Sequence, residues 1–138
     1  MARTDNFRKQ HADILTTARE INALLTIEMN DTDASTARRL LSKMHGQVSL
    51  HLAMEDKSLY PTMMASADPR LPELARRYQD EMGALSQTFE NYVRKWPTNV
   101  SIMSRPSEFI TESKAVFNAL SKRIHHENTV LYKLVDEQ

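Results

Sequence analysis

The sequence contains no cysteine, so a disulfide framework, a zinc ribbon and a cysteine-ligated iron–sulfur cluster are all excluded. Glycine is nearly absent, with 2 in 138 residues. Folds built on tight hairpins or phosphate-cradling loops need many more, because positions with φ > 0 are expensive for other residues. Charge of one sign is also missing: 18 Lys and Arg stand against 18 Asp and Glu, a formal net charge of +0. No bulk field draws this chain to nucleic acid or to an anionic membrane. Apolar runs are only a few residues long, too short to cross a bilayer, and the first residues lack the apolar stretch of a signal peptide. These absences leave one expectation: a soluble, cytoplasmic, all-α protein forming one domain over residues 1–138.

What is present is helical periodicity with clear punctuation. A first helix is expected from about Asp5 to about Met29, followed by a polar turn at Asn30-Asp31-Thr32-Asp33. A second begins near Asp33 or Ser35 and reaches Tyr60, where Pro61 either ends or kinks it. Asp68-Pro69 opens a third that ends at Trp96-Pro97, the residues from Thr98 to Arg105 form an irregular connection, and Pro106 starts the fourth. Each helix carries an apolar stripe, such as Phe7, Ile14, Ala18, Ile21 and Leu25 in the first. Four such helices with mostly short links predict an antiparallel up-down four-helix bundle.

Polar residues interrupt those stripes. His11 lies four after Phe7 and three before Ile14, so it faces inward. His51 follows Val48 by three, and Glu55 sits four after His51 and four before Leu59. Glu127 falls among Leu120, Ile124 and Leu131 by the same arithmetic, and Glu81 lies on the flank of the third stripe. Their heights agree. At about 1.5 Å per residue, His11 and His51 both lie roughly 30 Å from the first turn, and Glu55 and Glu81 lie roughly 18–21 Å from the second. Burying ionised carboxylates without partners is costly, so something positive must accompany them. Imidazole and carboxylate at i and i+4, joined by groups from other helices, is how bundles build non-haem metal sites. Nitrogen and oxygen ligands suit iron, manganese or zinc.

The segment His51-Leu-Ala-Met-Glu55-Asp-Lys-Ser-Leu59-Tyr60-Pro61 resembles the helix-two signature of the hemerythrin-like, or HHE cation-binding, family. Glu127-Asn-Thr-Val-Leu131-Tyr132 echoes it in the fourth helix, and His11 matches the family's early histidine. The resemblance spans essentially the whole chain. It implies a non-haem di-iron centre whose candidate ligands here are His11, His51, Glu55, Glu81 and Glu127. It also implies a protein that binds or senses dioxygen, nitric oxide or peroxide, or holds iron. An iron-dependent peroxidase or oxidase on the same ligands, and a metal-poor helical interaction module, are the other readings.

Two positions depart from the family pattern. Met82 stands where the third helix usually has a histidine, and Arg123 stands four before Glu127 where the fourth does. The half contributed by the first two helices is intact. Two outcomes stay open: a carboxylate-rich two-metal site that uses Glu81, or a single metal. Arg123 raises the cost of a second cation and can pair with Glu127 at i, i+4. His45, His125 and His126 read as surface residues, His45 and His126 alternatively as supports to the site.

Overall fold

The computed structural model describes residues 4–138. Helix α1 spans Asp5–Asn22, α2 Asp31–Met54, α3 Tyr60–Met64, α4 Arg70–Lys95, α5 Asn99–Ser104, α6 Pro106–His126 and α7 Tyr132–Asp136. A π-helical turn at Glu55–Leu59 joins α2 to α3, and another at Glu127–Leu131 joins α6 to α7. The result is four long rods, α1, α2–α3, α4 and α6–α7, packed as an all-α bundle. No strand occurs among the described residues, and none of their helices is long and apolar enough to cross a membrane.

The helix boundaries differ from expectation in three places. Helix α1 stops at Asn22 rather than near Met29. There Leu24 N–H and Leu25 N–H bond to carbonyls three residues back, and these tighter turns swing Leu25 and Met29 into the core. Helix α2 starts earlier than expected, because Asn30 is its cap. The Asn30 side chain accepts from Asp33 N–H at 2.8 Å, and Asp33 Oδ2 accepts from Asn30 N–H at 3.2 Å. The connection expected to be irregular holds the short helix α5, capped by the same reciprocal bonds between Thr98 and Ser101. It buries Ile102 completely.

Pro61 neither stops the chain nor leaves it unsupported. Tyr60 N–H bonds to the Glu55 carbonyl five residues back, so the widened turn precedes the proline that has no N–H to offer. Two apolar clusters fill the bundle. One contains Ile21, Leu41, Met44, Trp96 and Phe109, and the other contains Phe7, Leu59, Met63, Tyr78 and Leu131. Between them lies a layer of buried polar side chains: His11, His51, Glu55 and Glu127.

Candidate metal centre

Helical spacing delivers His11 from α1, His51 from α2, and Glu55 and Glu127 from the first residues of the two π turns. All four are at most 3% exposed. The His11 and His51 rings lie 4.4 Å apart, centre to centre. His11 Nε2 is 2.9 Å from Glu127 Oε1, and His51 Nε2 is 4.0 Å from the same oxygen and 3.3 Å from Glu55 Oε1. One donor atom each from His11, His51 and Glu127 lies within 4.8 Å of the others, a spacing a metal ion can bridge.

The outer face of each imidazole orients its tautomer. His11 Nδ1 is 2.8 Å from Asn128 Oδ1, and His51 Nδ1 is 2.7 Å from Gln10 Oε1. An amide oxygen can only accept, so both rings carry a proton on Nδ1 and donate it outward. In their neutral form both then turn a bare Nε2 lone pair towards carboxylate oxygens. Lone pairs facing one another across 2.9 Å repel. A cation between them, either a metal ion or a second proton on the ring, removes the repulsion. The carboxylates show the same want: Glu55 Oε1 and Glu127 Oε2 are buried without a hydrogen-bond donor. The residues present therefore fit a metal. Inward imidazole nitrogens, buried carboxylates and outward bonds that fix the tautomers are the elements of a nitrogen–oxygen site.

This chain belongs to the hemerythrin HHE cation-binding family. The family profile, described as Hemerythrin HHE cation binding domain, matches residues 2–135. No curated protein and no solved structure matches the chain.

Within that family frame, the structure separates the five candidate ligands. His11, His51 and Glu127 come together, and Glu55 adjoins them through His51. Glu81 is not brought in. Its side chain is 57% exposed, and its Oε2 accepts from Arg123 Nη1 at 2.9 Å. A step of about 100° per residue turns Met82, which lines the cavity with His11 and His51, inward in place of Glu81. Arg123 does approach its i+4 partner, with Nε 3.4 Å from Glu127 Oε2. His45 reaches Glu90 on the surface, and His126 accepts from or donates to the Tyr78 hydroxyl at 3.1 Å.

Sequence reasoning missed three residues. Gln10 and Asn128, which hold the imidazoles, each adjoin a candidate ligand in sequence, His11 and Glu127 respectively, but nothing about an amide marks it as a support. Tyr132 is the third. Its hydroxyl donates to Glu55 Oε2 at 2.6 Å and lies 3.3 Å and 3.4 Å from the Nε2 atoms of His11 and His51. Its ring stacks on His11. Burial, reinforced by Glu127 and Glu55, lifts its pKa far above the usual phenol range, so it stays a donor. The Leu-Tyr pair of the helix-four echo was its signal.

Proposed function

We propose that this protein binds a transition metal, iron foremost, through His11, His51 and Glu127 with Glu55 alongside. Through an open coordination position, that metal binds or senses a small ligand such as dioxygen, nitric oxide or peroxide. The observation that carries the reading is the pair of imidazole Nε2 atoms facing carboxylate oxygens in a buried layer. The donor set supports iron, manganese or zinc, since no thiolate is available for softer ions.

A cavity of about 20 Å³ beside the candidate ligands supports a small ligand over a large substrate. Ile14, Val48, Leu120 and Ile124 give it apolar walls. That space suits one water-sized or diatomic species.

The test is metal content and spectrum. Protein purified from iron-replete cells should carry iron, and the anaerobic iron(II) form should change its visible spectrum reversibly with oxygen or nitric oxide. A protein that gains neither metal nor thermal stability from iron(II), manganese(II) or zinc(II) would sink the proposal.

A further inference from the structure

The chain repeats itself across the site. An offset of 72 residues places His51 on Arg123, Glu55 on Glu127, Leu59 on Leu131 and Tyr60 on Tyr132. An offset of 71 places Phe7 on Tyr78, His11 on Met82 and Ile14 on Leu85. The structure keeps the correspondence, because Glu55 and Glu127 each open a π turn. Tyr60 N–H and Tyr132 N–H bond back to the carbonyls of those two glutamates. The two halves thus present equivalent positions to one interior. In the half from α1 and α2 those positions hold His11 and His51; in the half from α4 and α6 they hold Met82 and Arg123. All four side chains line the small cavity together with Glu127.

We propose that the site takes one metal ion rather than two, the guanidinium of Arg123 standing in the second cation position. The inference rests on the metal reading above and adds its stoichiometry. Arg123 is 10% exposed and held on three sides. Nη1 donates to Glu81 Oε2 at 2.9 Å, Nη2 donates to the Tyr78 carbonyl at 2.6 Å, and the group lies 4.4 Å over the Tyr78 ring. Its Nε faces the outer oxygen of Glu127, the oxygen that does not face His11. A guanidinium keeps its charge at any ordinary pH and has no lone pair to lend a metal. The Met82 thioether is a poor ligand for a hard ion.

Charge points the same way. With both carboxylates ionised, as metal ligation requires, Glu55 and Glu127 bring two negative charges and buried Arg123 one positive, which leaves one uncompensated negative charge among these buried groups. One divalent ion overshoots that by a single charge. A second would leave three positive charges in the same layer, beside a guanidinium that cannot leave or neutralise. Exposed Glu81 then has a task without ligating: it anchors Arg123 from the surface.

The experiment is stoichiometric titration of the purified full chain with zinc(II) and, anaerobically, with iron(II), read by elemental analysis after desalting. One equivalent per chain is expected. Two equivalents overturn the inference and leave the metal reading standing, whereas none overturns the metal reading itself. Manganese(II)-loaded protein should give the electron paramagnetic resonance spectrum of an isolated ion, and an exchange-coupled pair would again overturn the inference. The double change Met82→His and Arg123→His supplies two imidazoles and removes the fixed charge, so it should saturate near two equivalents. Circular dichroism checks whether this variant is folded. A folded double variant that still stops at one equivalent overturns the role given to Met82 and Arg123. The wild-type count decides the inference even if the variant fails to fold.

Discussion

The hydroxyl of Tyr132 donates to Glu55 Oε2 across the bundle at 2.6 Å, tying the last rod to the second in the layer of buried polar side chains. It satisfies one oxygen of a carboxylate whose other oxygen has no donor. Leaving a buried acceptor unsatisfied costs about 1–3 kcal/mol. We therefore expect Tyr132→Phe to lower the stability of the metal-free protein by that amount in urea unfolding, with an unchanged m-value. An unchanged midpoint would show that Glu55 is protonated or otherwise partnered.

Removing a candidate ligand should separate binding from folding. His51→Ala leaves the larger apolar cluster around Ile21, Leu41 and Met44 intact and removes one edge-on ring contact from Phe7 in the smaller one, so the fold should survive. Wild type should gain about 2.7 kcal/mol at metal concentrations a hundred times Kd, and the variant should gain nothing measurable. Thermal unfolding with and without zinc(II) makes the comparison. An equal gain in both proteins would place the metal somewhere else.

The residues that hold the imidazoles should matter nearly as much as the imidazoles. Gln10→Ala and Asn128→Ala each free an Nδ1 proton, and with it the ring's tautomer and orientation. Losing such a support typically costs 10–100-fold in metal affinity. Competition titration against a chromophoric chelator measures this directly. Glu81→Gln serves as the contrast: an exposed carboxylate paired with Arg123 and Arg77 should change affinity far less than Glu127→Gln does.

That contrast also marks where the sequence stopped being informative. Periodicity alone fixes which residues face the bundle interior when they sit squarely in a stripe, as His11, His51 and Glu127 do. Glu81 sits on a flank, where neighbouring residues compete for the inward direction and the bulk of Met82 decides it. Helix ends were harder to read still. The turns after Asn22 follow from Leu25 and Met29 seeking burial, a tertiary effect that no local pattern displays. The π turns leave no mark in a stripe either, although each begins at a glutamate that the i, i+4 arithmetic had already chosen. The polar layer was thus legible in its inward histidines and glutamates and illegible in the groups that hold them, because an amide or a phenol acquires that task only from what lies opposite.

The tyrosines offer a final test that needs no metal. All four have pKa values raised above 10.0, and burial is the first cause for each. For Tyr92 the hydroxyl sits 2.6 Å from Ser113 Oγ in a fully buried pair, and for Tyr60 the charges of Glu55 and Glu127 add to burial. A phenol with a raised pKa in the folded state binds its proton more tightly there than in the unfolded chain. Its contribution to stability is therefore complete below pH 10 and is lost as pH rises through and beyond that value. Absorbance at alkaline pH should show no tyrosinate with an ordinary midpoint while the helices persist. Ionisation should instead coincide with the loss of helical circular dichroism, as the unfolded chain, richer in ionised phenol, is drawn out of the equilibrium. Tyrosinate appearing near pH 10 in a fully helical protein would mean that the phenols are open to solvent, and the packing around the site is looser than these distances require.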